Sequence, residues 1–229
     1  MHNFFLAVRG SRLGLDKSHN AFLLSGQWVS PRLDKSLHFA ILHSSFFIYM
    51  IDQILTFNRE FVATKSYEKY LTDKYPDKRL AVLSCMDTRL TELLPAALGL
   101  RNGDAKIIKN AGGLVISPFD SAMRSLIVAI YELGVEEIMV VAHSGCGACH
   151  MSYDHFHHEM IARGIAEHTL DTIAQCGIDL HRWLEGFKDT PESVRTTVRT
   201  IKSHPLVPKD IVVRGFIIDS ATGELKEVE

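Results

Sequence analysis

The ten residues LAVLSCMDTR, from Leu80 to Arg89, decide the fold class of this 229-residue chain. They begin as an apolar run, typical of a strand buried on both faces, and end in thiol, carboxylate and guanidinium groups. The stretch IMVVAHSGC, from Ile138 to Cys146, repeats that arrangement. Between them, Ser121 to Leu133 has apolar residues at helical spacing and stops at Gly134. Strands that alternate with helices predict an α/β fold with a mainly parallel central sheet flanked by helices.

Further elements extend this pattern. Strands are predicted over 105–108 and 211–218, and the second is followed by a turn and a C-terminal strand over 225–228 that pairs back as a hairpin. A polar helical region covers 151–187. The periodicity also predicts helices, one of them with Pro95 in its first turn, over 51–62, 67–74, 91–98 and 191–203.

Composition excludes several classes of protein. Apolar residues make up 46% and charged residues 23%, which is ordinary for a globular domain. The net charge of −2 argues against nucleic-acid binding through bulk positive charge. No run of 18 apolar residues exists, so we expect no ordinary membrane span. Four cysteines are too few for a disulfide scaffold.

Residues 1–49 differ from the rest of the chain. They contain five basic residues and two acidic ones, whereas the rest has an acidic balance. They show no clear period, and glycine and proline interrupt them. We expect a poorly ordered N-terminal extension, or sequence upstream of a natural start at Met50, followed by a catalytic domain over 50–229. A targeting segment is the alternative, since basic and acid-poor composition is weakly typical of one.

The candidate chemistry lies where the strands end. Cys85 follows the first apolar run, and His143 and Cys146 follow the third strand. The carboxyl ends of parallel strands meet at one edge of a sheet, where such folds bind ligands. Two thiolates and an imidazole favour zinc, and three protein ligands leave one position open, as in catalytic zinc sites. Each residue alone is more often structural, but the joint pattern predicts one zinc ion per subunit.

Asp87 and Arg89 follow Cys85 at two-residue steps, which in extended chain would place all three on one side. Asp87 could accept a hydrogen bond from a zinc-bound hydroxide, or bind zinc directly and close the site. A bidentate pair with Arg89 would hold the carboxylate off the metal.

The pattern Cys85-x-Asp87-x-Arg89 with His143-x-x-Cys146 resembles the signature of the β-class carbonic anhydrases. Four further segments are similar to that family, and the resemblance covers about Met50 to Glu229. The short form, which lacks long N-terminal helices, is similar to the compact prokaryotic subgroup, while residues 1–49 match nothing in it. The four segments are 103–112, 203–208, 215–219 and 222–223.

The resemblance implies a function. It implies zinc held by Cys85, His143 and Cys146, and a catalytic dyad of Asp87 and Arg89. The family's reaction is the reversible hydration of carbon dioxide to bicarbonate and a proton, by attack of zinc-bound hydroxide. Backbone N–H groups at Gly112 and Gly113 would lie near the substrate oxygens.

The resemblance also implies partners and alternatives. We expect a homodimer or higher multiple, with the apolar face of helix 51–62 on the neighbour, and no nucleic-acid or membrane partner. Thiolate ligands must stay reduced, which favours the cytoplasm. Close relatives hydrolyse carbon disulfide or carbonyl sulfide on the same motif, so that activity is one alternative. A zinc-binding dimer without catalysis is the other.

Overall fold

A computed structural model describes residues 50–229 in full and, before them, only the backbone of five short strands. The chain divides into two compact units, Met1–Lys69 and Tyr70–Glu229. In the first unit, β1 and β2 pair antiparallel, as do β3, β4 and β5. Helix α1 covers 50–63. The strands are β1 (Leu6–Val8), β2 (Ser11–Leu13), β3 (Leu15–Asp16), β4 (Ala21–Leu24) and β5 (Gln27–Val29).

The predicted N-terminal extension falls mostly on residues outside those described. The boundary at Met50 and the role of residues 1–49 therefore stay predictions.

The second unit is built on a five-stranded sheet with the order β10-β9-β8-β6-β7. Strand β6 lies between β7 and β8 and pairs parallel with both, and β8 pairs parallel with β9. The last strand returns antiparallel to β9. The predicted α/β fold, including its C-terminal hairpin, is confirmed. The strands are β6 (Leu80–Cys85), β7 (Ala105–Asn110), β8 (Glu137–His143), β9 (Val212–Ile218) and β10 (Leu225–Val228).

This unit also contains six α-helices. The longest two are capped by aspartates: Asp120 accepts from the Met123 amide, and Asp189 accepts from the Glu192 amide. Short 3-10 helices cover Glu68–Tyr70 and Gly147–His150. The α-helices are α2 (Leu90–Ala97), α3 (Ser121–Leu133), α4 (Tyr153–Ala162), α5 (Glu167–Gln175), α6 (Leu180–Leu184) and α7 (Thr190–Ser203).

Two local predictions are wrong. Pro95 lies inside α2 rather than in its first turn, so the helix lacks the hydrogen bond that an amide there would donate, and it ends two residues later. The helix predicted over 67–74 is only a 3-10 turn. Its continuation is replaced by a local turn, in which the side chain of Asp73 accepts the Tyr75 amide at 2.7 Å.

Two hydrophobic clusters cover the two faces of the sheet. One contains side chains of α3 and α7, including Leu126 and Ile201. The other contains Leu90 and Leu94 of α2 together with Cys85 and Cys146. The candidate thiol ligands are therefore part of the packed interior at the end of the central strand. Within the described residues, no helix combines the length and the apolar character needed to cross a membrane.

Candidate metal centre

Three buried side chains converge at the carboxyl ends of β6 and β8. Cys85 is the last residue of β6, His143 is the last residue of β8, and Cys146 follows in the next turn. Their donor atoms all lie within 4.8 Å of one another, and the two sulfurs are 3.9 Å apart. The structure thus brings the three predicted ligands together, in a group able to hold a metal ion.

The orientation of His143 fits a metal ligand. Its Nδ1 lies 3.0 Å from the carbonyl oxygen of Ser144, which can only accept, so Nδ1 donates this hydrogen bond and Nε2 is the ring nitrogen left for a metal. Nε2 is buried and has no hydrogen-bond partner among the described residues. A buried polar atom without a partner is costly, and a metal would satisfy it. The set of two sulfurs and one imidazole nitrogen is a zinc donor set.

The Cys146 thiol is not poised as a free nucleophile. Burial raises the pKa of Cys146 to about 11, so this sulfur is protonated at neutral pH when no metal is bound. A metal entering the site must displace that proton.

Asp87 and Arg89 form a bidentate pair beside the three candidate ligands. Arg89 donates from Nε to Oδ1 at 2.9 Å and from Nη2 to Oδ2 at 2.8 Å. These hydrogen bonds hold the pKa of Asp87 well below its usual range. Oδ2 lies 3.8 Å from Nε2 of His143, so the carboxylate reaches the centre while both of its oxygens are engaged by Arg89.

The reason for this pairing differs from the predicted one. Residues 87–89 are not extended, because Arg89 has helical dihedral angles and lies at the start of α2. Asp87 Oδ1 accepts the Arg89 amide at 2.9 Å, which closes the turn. The turn, rather than strand alternation, places the two side chains together.

Arg89 has two further partners that the sequence did not reveal. Nη2 donates to the carbonyl oxygen of Gly145 at 3.0 Å, and Nη1 donates to Oγ of Ser220 at 3.1 Å. The turn after β9 was predicted, but nothing in the residue pattern indicated that a hydroxyl from it would contact Arg89.

Asp219 holds that turn. Its Oδ1 accepts the amides of Ala221 and Thr222 at 2.9 and 2.8 Å, and its Oδ2 accepts from Ser144 Oγ at 3.2 Å. The backbone hydrogen bonds from Thr222 and Ala221 are the main causes that lower the pKa of Asp219 to about 2.

The lowered pKa gives a pH-dependent prediction. A carboxylate with a depressed folded-state pKa stabilises the fold above its unfolded value near 4 and loses that contribution as the pH falls towards 2. We expect Asp219→Asn to be less stable than wild type at pH 6, and the difference to shrink below pH 4. Urea unfolding at several pH values measures this, and a difference that is constant with pH would contradict it.

Gly112 and Gly113 lie in the turn after β7. Both have positive φ, 88° and 69°, a region that favours glycine. A Cβ on Gly113 would lie 2.8 Å from the backbone nitrogen of Cys85, so this glycine lets the turn pack against the ligand-bearing strand. Its amide donates a long hydrogen bond of 3.4 Å to the carbonyl oxygen of Asn110.

Gly113→Ala should destabilise the protein by about 2–4 kcal/mol. The new Cβ would overlap the backbone of Cys85, and alanine is strained at the positive φ of this position. At about 2–4 °C per kcal/mol, the melting temperature should fall by roughly 5–15 °C. Gly134→Ala is the matched control: its φ is also 69°, but a Cβ there meets nothing within 4 Å. We expect the control to cost only about 1 kcal/mol. Equal losses would contradict the close packing on Cys85.

Known proteins resemble this chain over the region just described. A family model described as Carbonic anhydrase matches residues 80–225. YtiB of Bacillus subtilis (strain 168), whose name assigns it provisionally to the carbonic anhydrases, is 48% identical over 176 residues, covering 77% of this chain and 94% of that protein. The carbon disulfide hydrolase of Acidithiobacillus thiooxidans is 33% identical over 162 residues, covering 66% of this chain and 77% of its own.

A solved structure agrees with these matches. The β-carbonic anhydrase isoform I of Trichomonas vaginalis superposes with a TM-score of 0.70 at 32% identity, covering 78% of this chain and 96% of that one. The family match over residues 80–225 contains both the Cys85–His143–Cys146 group and the neighbouring Asp87–Arg89 pair. The chain therefore belongs to the β-carbonic anhydrase family.

Proposed function

We propose that the protein is a zinc-dependent lyase that reversibly hydrates carbon dioxide to bicarbonate and a proton. One observation carries the proposal: the buried Cys85–His143–Cys146 group lies beside a carboxylate that is clamped by Arg89. When bound, zinc would supply a Lewis acid that lets a water lose its proton near neutral pH.

The proposed role of Asp87 follows from its hydrogen bonds. The carboxylate is ionised at neutral pH and is therefore only an acceptor. A carboxylate beside the centre would accept a hydrogen bond from the reacting hydroxyl group. This hydrogen bond would turn a lone pair of the hydroxyl oxygen towards the carbon of carbon dioxide. Arg89 keeps the carboxylate in this orientation and away from the ligands.

We propose that the turn at Gly112 and Gly113 lines the substrate side of the site. A cavity of about 260 Å³ borders this turn at Ala111 and Leu114, and most of the side chains that line it are apolar. Carbon dioxide is small and has no net dipole, so such a lining suits it better than a charged one. The lining includes Ala111, Leu114, Ala148, Met151 and Trp183.

Stopped-flow hydration of carbon dioxide between pH 6.5 and 9 tests the proposal. The protein is loaded with zinc, and its zinc content is measured by atomic absorption. We expect a fast rate that rises with pH; the best carbonic anhydrases reach about 10⁶ per second. Absence of a rate at every pH, with one zinc bound per chain, would contradict the proposal.

Hydrolysis of carbon disulfide or carbonyl sulfide is the second candidate, favoured by the relative from Acidithiobacillus thiooxidans. The same zinc-loaded protein is assayed for sulfide released from each compound. We expect at least about 100-fold lower turnover than with carbon dioxide, and the opposite ratio assigns the alternative activity. If none of the three compounds reacts, the remaining hypothesis is that the protein is a zinc-binding dimer with no catalytic activity.

We also propose a homodimer or a higher multiple of it. Helix α1 presents exposed apolar side chains at Ile51, Ile54, Leu55 and Val62, a stripe that suits a second copy. Sedimentation equilibrium tests the assembly, and a monomer at micromolar concentration would contradict it.

We propose that residues 50–229 carry the activity and that residues 1–49 are dispensable. The match to the family begins at residue 80, well inside the proposed domain. A protein beginning at Met50 should fold and keep full activity, and its failure to fold would refute this boundary. We further propose a cytoplasmic location, because the two buried ligand thiols need a reducing compartment.

A further inference from the structure

Ser220 joins Arg89 to the carbonyl group that orients His143. Its hydroxyl accepts from Arg89 Nη1 at 3.1 Å and lies 3.1 Å from the carbonyl oxygen of Ser144, to which it donates. That same oxygen is 3.0 Å from Nδ1 of His143. One hydroxyl therefore bridges the guanidinium of the Asp87–Arg89 pair and the backbone beside a candidate metal ligand.

The position of Ser220 is fixed independently of Arg89. Its amide donates to Oγ of Ser144 at 3.0 Å, and the Ser144 amide donates to the carbonyl oxygen of Ile218 at 3.0 Å. The turn itself is held by the side chain of Asp219. The ends of β8 and β9 are thus tied together, and Ser220 presents its hydroxyl from a rigid support.

The contacts of Arg89 show what the hydroxyl adds. Nε and Nη2 face Asp87, and Nη2 also reaches Gly145, which leaves Nη1 with Ser220 as its described partner. The Arg89 side chain is 48% exposed, so packing alone does not hold it. Without the Ser220 hydroxyl, Nη1 of Arg89 would donate to water instead of to a fixed acceptor. One side of the guanidinium would then be free to move.

We propose that Ser220 is a positioning residue, which fixes the Arg89 guanidinium and through it the Asp87 carboxylate. The proposal deepens the proposed carbonic anhydrase activity and, for its kinetic effect, rests on it. It makes the turn after β9 a part of the proposed active site, although none of the three candidate metal ligands lies in that turn.

Ser220→Ala tests the proposal, with Ser220→Thr as the conservative variant. A lost hydrogen bond to a charged group predicts about a tenfold lower kcat, with KM and zinc content within twofold of wild type. Ser220→Thr keeps a hydroxyl and should restore kcat to within about threefold. The melting temperature should change little, since the Asp219 side chain holds the turn. Ser203→Ala, at the exposed end of α7, is the matched control and should behave as wild type.

A readout independent of activity is the hydrogen exchange of the Arg89 Nε–H group, followed by NMR on the zinc-loaded protein and assigned by its absence in Arg89→Lys. We expect exchange about tenfold faster in Ser220→Ala, because the guanidinium is held less firmly. An inactive wild type would refute the proposed function but leave this measurement valid. Unchanged kcat and unchanged exchange in Ser220→Ala would overturn the positioning role. Loss of zinc or of fold in that variant would also overturn it, because Ser220 would then be structural.

Discussion

Replacement of Cys85 by serine is expected to abolish zinc binding and to reduce carbon dioxide hydration by at least about 10³-fold, to the uncatalysed background. A serine hydroxyl does not ionise near neutral pH, so it is a poor substitute for a thiolate ligand. The Cys85 sulfur is buried and lies 3.9 Å from the Cys146 sulfur. A solvent-exposed side chain elsewhere therefore cannot take its place as a ligand. Zinc stoichiometry by atomic absorption and stopped-flow rates measure both effects.

Cys149→Ser is the matched control for this experiment. The same cysteine-to-serine substitution is made here three residues after Cys146. The Cys149 sulfur is outside the group of three donors and lies 3.6 Å from Oγ1 of Thr190. We expect one zinc per chain and full activity in the control. Zinc retained by Cys85→Ser, or lost by Cys149→Ser, would refute the assigned ligand set.

Asp87→Asn is expected to reduce kcat/KM by about 10²–10³-fold while the zinc content stays at one per chain. The amide keeps the shape of the carboxylate, but it replaces one acceptor oxygen with a donor and removes the charge that Arg89 binds. The variant therefore separates orientation of the reacting oxygen from metal binding. The stopped-flow assay and zinc analysis are sufficient, together with a melting curve to verify folding.

Asp104→Asn supplies the same chemical change away from the centre. Its carboxylate accepts the Arg101 amide at 2.9 Å in the loop before β7. We expect unchanged kcat/KM in this control. Full activity in Asp87→Asn would exclude the proposed role of Asp87 and favour a site in which the metal ligands alone suffice.

The sheet could be predicted because its strands are buried on both faces. Continuous apolar runs such as Ile138 to Ala142 carry that signal, and the helices between them carry another. The segment after Lys65 could not be predicted, because Asp73 forms a local side-chain turn that competes with helix. Pro95 was assigned to the right helix but to the wrong turn, since helix boundaries depend on tertiary packing.

The convergence of Cys85, His143 and Cys146 could also be predicted, because sheet topology places strand ends together. Their neighbours could be predicted only in part. Asp87 and Arg89 pair as expected, yet through a turn rather than an extended strand. The role of Ser220 could not be predicted, because its contact with Arg89 spans 131 positions in the chain. A serine hydroxyl is also common in turns, so the residue type gives no signal.

The two thiol ligands lie 61 positions apart in the chain, on the end of one strand and just beyond the end of its neighbour. Bringing them together in an unfolded chain costs a large loop-closure entropy. We expect pairing of β6 and β8, rather than metal binding alone, to offset that cost. We therefore expect the sheet to assemble before a metal binds, in contrast to small zinc domains that fold only around their ion. The metal-free protein should accordingly keep its fold, and adding zinc to it should restore the proposed activity without refolding.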